Sequence, residues 1–380
     1  MGLFDFLKIK RIAKNSEKDY EELERRKIDD EIGAKADALL EKEFDDIGLA
    51  NEFKEKFYEE CEKRKVNPES LFTKYNVKGV YKLRTQLTKD QTFKIVKDFF
   101  NDFYPAVGQE VSKILDGEGR TSGGQKIILN VDETAKILPS ASIPLYPSDD
   151  ITLNLPIYGD LRDVYSIVHE IGHTFDCEAG DNETRKMFAE IVPQGFERLL
   201  DEFLINTYVK PSDKTFVDVE TAKTQIDKAS LLLDISDRRL STFHKRWEEI
   251  KRVPYSKGQD KNISSRYMFA QLYQSQLSKK PHDAQKMGLI DFWDYVIDND
   301  WESAIESTGL DIRVKNPEIR TKAIDDCIEE FFKMREQYIE LDTQIDPAKR
   351  NTASSEVNKE INKEVKTKEE GARNEDGEKN

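Results

Sequence analysis

Apolar side chains recur every three to five positions from Tyr20 through Leu23, Ile28, Ile32, Ala36, Leu39, Leu40 and Phe44 to Ile47, with Glu and Lys on the other faces. That spacing predicts helix throughout residues 17–65. Gly33 and Gly48 interrupt it and predict local breaks. A second amphipathic segment, Gln91 to Val107, carries Phe93, Val96, Phe99, Phe100 and Phe103, with Pro105 near its end. The glycines of Asp116-Gly117-Glu118-Gly119 and Ser122-Gly123-Gly124 predict a loop between two halves. Beyond it the period changes. Residues 126–131 and 151–155 are short runs of branched residues bounded by Pro139, Pro144, Pro147 and Pro156, and they predict strands. From Leu161 the helical pattern returns and holds almost to the end. The expected class is mainly α with a small β-sheet.

Four regions follow from these patterns: a short apolar and basic segment, 1–16; an N-terminal helical region, 17–125; a region carrying the chemistry, 126–345; and a charged tail, 346–380. The tail has no aromatic residue and too little apolar surface to offset its ordering entropy, so disorder is expected there. Sixty Lys and Arg against 75 Asp and Glu leave a net charge of −15. That balance argues against nucleic acid as a partner and points, as far as net charge can, toward basic peptides. No apolar run approaches the roughly 20 residues of a membrane helix, so no membrane partner is expected. The apolar start Met1-Gly2-Leu3-Phe4-Asp5-Phe6-Leu7-Lys8 is too short and too soon charged for a signal peptide. Cys61, Cys177 and Cys327 are widely spaced and odd in number, which argues against a disulfide framework and predicts a reducing, cytoplasmic setting, with Cys177 expected as a buried thiol.

The chemistry concentrates in Val168-His169-Glu170-Ile171-Gly172-His173. On a helix, positions i and i+4 share a face, so His169 and His173 can offer two imidazole nitrogens to one Zn2+ ion. Glu170, beside the first of them, is placed to act as general base on a metal-activated water. A third ligand is required. The metzincin spacing fails, because Asp176 and Ala179 stand where a Gly and a His are needed. Glu190, in Phe188-Ala189-Glu190-Ile191, is the expected ligand on a following helix, with Glu183, Glu197 and Asp176 as rivals. Glu183 or Asp176 is the expected acceptor for a histidine N–H.

Residues 151–173, a strand and a Tyr158-Gly159-Asp160 turn leading into the HExGH helix, resemble the active-site region of the thimet oligopeptidase and oligoendopeptidase F family. Phe188-Ala189-Glu190-Ile191 matches the context of that family's third ligand, and Trp301–Ile305 with Thr308-Gly309-Leu310-Asp311-Ile312 resembles its closing helix and turn. The likeness covers residues 126–320. It implies a helical, clam-like zinc peptidase that hydrolyses short or unstructured peptides, with one zinc held by His169, His173 and Glu190. It also places a tyrosine-rich helix at residues 264–273, where Tyr267 would stabilise the oxyanion, with Tyr255 and Tyr273 as alternatives. The pattern departs at Phe269, at Pro254-Tyr255 and at Asp176, where the family carries a Tyr or a His. Read on their own, these aromatics at helical spacing fit core packing equally well. His244 is expected on a helix face and His282 in an exposed loop. The alternative function is a zinc-binding relic that serves as a protein-interaction module.

Overall fold

A computed structural model describes residues 24, 27–72, 83–121, 124–135, 137–142, 150–176, 182–209, 216–219, 222–225, 228–257 and 259–345. The expected segments 1–16 and 346–380, and Cys177, lie outside the described residues.

Helix α1 covers 27–39 and continues as a π-turn over Leu40–Phe44. Asp45 ends it in left-handed backbone, with φ at 46°, and its carboxylate accepts from the Gly48 N–H at 3.1 Å to start α2 (Asp46–Lys63). The break therefore falls at Asp45, and Gly33 stays inside α1. A helical glycine costs only about 1 kcal/mol, whereas an Asp that caps the next helix redirects the chain. After the short α3 (Pro68–Leu71), α4 (Lys89–Phe103) opens on a capping box between Thr88 and Gln91. Pro105 begins α5 (Pro105–Leu115), so the stretch expected as one helix to Val107 is two. Proline is compatible with the first turn of a helix and disruptive inside one.

Strands β1 (Ile127–Asp132), β2 (Ser140–Ser142) and β3 (Ile151–Pro156) form a sheet in the order β1-β3-β2. β1 runs parallel to β3, with Ile127 opposite Ile151, and β2 is antiparallel to β3. β3 feeds α6 (Arg162–Asp176), then α7 (Glu183–Phe188) and α8 (Ile191–Leu204), which runs on as a π-turn over Ile205–Val209. A hairpin of β4 (Phe216–Val219) and β5 (Ala222–Gln225) interrupts the region expected to be all helical. Helices α9 (Lys228–Arg252), α10 (Gln259–Leu277), α11 (His282–Ile297), α12 (Trp301–Ser307) and α13 (Pro317–Ile345) complete a mainly helical fold with a small sheet. No helix among the described residues is long and apolar enough to cross a membrane.

Elements distant in sequence meet in one core. On α2, Phe57 lies 4.4 Å from Trp247 of α9, and Phe243 of α9 stacks on Phe331 of α13 at 4.2 Å. A buried carboxylate ties the segment before α4 to this core. Asp234 accepts from the backbone N–H of Arg84 at 3.0 Å and of Thr85 at 2.6 Å. Residues 83–87 then pair with the turn before α6, where the Leu87 N–H donates to Gly159 O at 3.0 Å. Replacing Asp234 with Ala strands two buried donors. The expected loss is about 2–4 kcal/mol, read as a lower urea midpoint at an unchanged m-value.

Candidate metal centre

The turn from β3 into α6 is held by its own carboxylates. Gly159 adopts φ +80°, and the N–H groups of Tyr158 and Gly159 donate to Asp163 at 2.9 and 2.8 Å. Asp160 accepts from the Arg162 backbone and pairs with its guanidinium at 2.8 Å. The two histidines lie one turn apart on α6, and Gly172 between them faces α8. A Cβ at Gly172 would come within 2.7 Å of the Pro193 Cα. Only a bare α-carbon allows this approach, and it brings the start of α8 alongside the imidazoles.

Glu190 sits in the turn joining α7 to α8, in right-handed backbone, rather than within a helix. His169 Nε2 and His173 Nε2 are 3.2 Å apart. Glu190 Oε2 is 3.6 Å from His169 Nε2, and its Oε1 is 3.8 Å from His173 Nε2. Ligands of a tetrahedral ion with bonds of about 2.0–2.1 Å are separated by roughly 3.3 Å, so this triangle matches the donor spacing of a divalent site. These three residues could hold a metal ion.

The acceptor at His169 Nδ1 is Glu197 and not Glu183, while the expectation for Asp176 falls on a side chain outside the described ones. Glu197 Oε1 lies 2.7 Å from His169 Nδ1, and Arg238 Nη2 is 3.2 Å from Glu197 Oε2. Glu197 follows Glu190 by seven residues, two helical turns, so both carboxylates present to the same face. Glu183 points elsewhere, accepting from Asn299 at 2.9 Å and pairing with Lys35 at 3.6 Å. The Asp176 side chain is outside the described ones. Burial pushes the Glu197 carboxyl up, but Arg238, His169 and Arg246 outweigh it and hold it near 2. Burial likewise opposes ionisation of Glu190, while His169, His173 and Arg246 keep its carboxyl below the usual range. An ionised Glu197 fixes the proton of His169 on Nδ1 and leaves the Nε2 lone pair facing the triangle. Glu170 is buried, at 6 % exposure.

Tyr267 of α10 belongs to this site and not to the core. The Arg246 guanidinium carbon lies 3.8 Å from its ring centroid. Burial and the adjoining Glu190 carboxylate push its phenol up to about 12. Tyr273 is core: it is 3 % exposed, packs on Phe292 at 5.5 Å, and its hydroxyl has no partner among the described residues. Tyr255 is a surface residue at 79 % exposure. Phe269 is buried against Phe44 at 5.2 Å. His244 is buried and stacks on Phe72 at 4.7 Å. His282 is half-buried at the start of α11, with Nδ1 3.0 Å from Glu202, so it is not the exposed loop residue expected from the sequence.

No family model and no curated protein matches the chain. A solved structure of a protein from Chlamydophila abortus, provisionally described as a peptidase, is similar at 14 % identity with a TM-score of 0.41. The match covers 76 % of this chain and 55 % of that one.

Two outcomes are expected at this centre. Glu197→Gln should weaken binding of a divalent ion by about 10–100-fold, because the His169 tautomer is no longer held by a charge. Gly172→Ala should force α6 away from Pro193 and lower ion affinity as well as thermal stability. Isothermal titration of both variants with zinc and a thermal melt check these expectations.

Proposed function

We propose that this chain is a zinc metalloendopeptidase acting on short or unstructured peptides. The observation that carries the reading is the triangle of His169, His173 and Glu190, with edges of 3.2, 3.6 and 3.8 Å, one helical step from a buried acid. Two nitrogens and one carboxylate form the donor set of catalytic zinc sites, which keep a position open for water. Bound there, zinc would supply a Lewis acid for the peptide carbonyl and would acidify a water. Glu170 takes the proton of the attacking water and hands it to the leaving amine nitrogen, so it must cycle between carboxylate and acid within one turnover. Tyr267 stays protonated at neutral pH, since its phenol titrates near 12, and so remains a hydrogen-bond donor for the carbonyl oxygen as that oxygen gains charge. His169 is oriented from behind by Glu197 and Arg238.

The test is cleavage of a quenched peptide pool alongside zinc content. Glu170→Gln should keep one bound zinc and lose about 100- to 10,000-fold in kcat. Tyr267→Phe should lower kcat by about 100-fold with little change in KM. Unchanged turnover in the Glu170 variant would remove it as the base. Bound zinc with no cleavage by the unsubstituted chain would leave an interaction module in place of an enzyme.

A further inference from the structure

The carboxylates of the centre face more positive charge than they neutralise. Arg238, Thr242, Lys245 and Arg246 follow one another at helical spacing on α9, and Arg238 and Arg246 lie against Glu197 and Tyr267 respectively. Arg266, next to Tyr267 on α10, adds a further cation beside Glu190. Arg238 is matched by Glu197. Lys245, Arg246 and Arg266 have no carboxylate within salt-bridge distance among the described residues. The Nε atoms of Arg246 and Arg266 are buried without a hydrogen-bond partner there. Lys245 carries an exposed side chain and stands close enough to Arg238 and Arg246 to feel both.

We infer that this centre takes a peptide bearing a carboxylate near the bond to be cut, and that Lys245 and Arg246 bind that carboxylate. The inference rests on the peptidase reading for the peptide, and on the uncompensated cations for the carboxylate. Cations crowded together without partners repel one another, and an anion that joins them relieves that repulsion. Arg246 is the better anchor, since its guanidinium is already oriented by the Tyr267 ring and its Nε has no hydrogen-bond partner among the described residues. Lys245 supplies a movable second charge. Repulsion from Arg238 above all, and from Arg246, lowers the Lys245 ammonium to about 8, the mark of positive groups crowded with too few anions. The carboxylate is either an acidic side chain or the C-terminus of the peptide, which share one chemistry.

The experiment uses the zinc-loaded, full-length Glu170→Gln chain, so that binding is read without turnover. Fluorescence anisotropy compares labelled decapeptides that differ by one central Glu or Gln, and by a free or amidated C-terminus, in 0.15 M NaCl. One acid of either pair should bind at least tenfold more tightly than its amide, and the responding pair identifies the source of the carboxylate. Adding Lys245→Gln should reduce that advantage to about threefold or less, Lys245→Arg should retain it, and Lys245→Glu should reverse it. Circular dichroism confirms that each variant is folded. Equal affinity within both pairs overturns the inference, as does an advantage that survives Lys245→Glu. Parallel assays with the unsubstituted chain separate the two readings. Cleavage of all four peptides at equal rates leaves the peptidase and removes the carboxylate site, whereas selective binding without cleavage does the reverse.

Discussion

The contact between α6 and α8 at Gly172 is the constraint on which the centre depends. An α-helix carrying two histidines is a poor metal site by itself, because it supplies two donors on one side and nothing opposite. The third donor must come from another element brought within about one ligand–ligand distance. With a Cβ at Gly172 overlapping the Pro193 Cα, even alanine would separate the helices. Their approach places the turn at Glu190 beside the imidazoles. Proline at 193 fits the same demand, since the first turn of α8 does not require its N–H. The backbone of that turn is secured from the far side as well, where α10 contributes Gln274 to the Gln194 carbonyl at 2.6 Å.

Electrostatics then divides labour between two glutamates on one helical face. Glu197 is enclosed with Arg238 and His169 and remains a carboxylate near 2, so its part is to hold the His169 ring in place through Nδ1. Glu190 faces the other ring nitrogens and is placed to be the third ligand of a metal ion. The network extends behind them. Tyr165 donates a short hydrogen bond to Asp201, which Arg239 meets at 2.5 Å, so the helix that bears the histidines is also pinned by its buried face. A burial penalty on each charge is offset by a partner of opposite sign, which favours a rigid arrangement over a merely stable one.

Much of this was legible in the sequence because the relevant patterns are local. The i,i+4 histidines, the strand before them and the glutamate after them all express short-range periodicity. The strands at 127–132 and 151–156 coincide closely with the branched runs expected there. What escaped was decided at long range or by a single cap. Asp45 displaced the break from Gly33 and Gly48, because one capping carboxylate outweighs helical propensity. Short strands such as β2 and β4 carry too few residues for a period to emerge. Glu197 was visible as a rival but not as the acceptor, although its spacing of seven from Glu190 already set both on one face. Arg238, Lys245 and Arg246 escaped, since nothing in their spacing tells which side of α9 turns toward the histidines. Tyr267 and Tyr273 share one helix and one residue type, and only packing separates the site from the core.

The overall charge of −15 pointed toward basic peptides, and the charge distribution around the centre points the other way. Net charge describes the far field, which at physiological ionic strength is damped over about 8 Å. A bound ligand would meet the groups inside that distance, and these include Lys245, Arg246 and Arg266, which have no carboxylate within salt-bridge distance among the described residues. The acidic exterior would slow the approach of an acidic peptide in dilute salt, whereas the centre would retain it once docked. The two effects act on different steps, so weak long-range attraction and tight local recognition of the same carboxylate are compatible. Three acidic side chains, Glu170, Glu190 and Glu197, gather at the candidate centre, and cations stand around them. On the proposed reading, the cations left after that balancing are what a peptide carboxylate would meet.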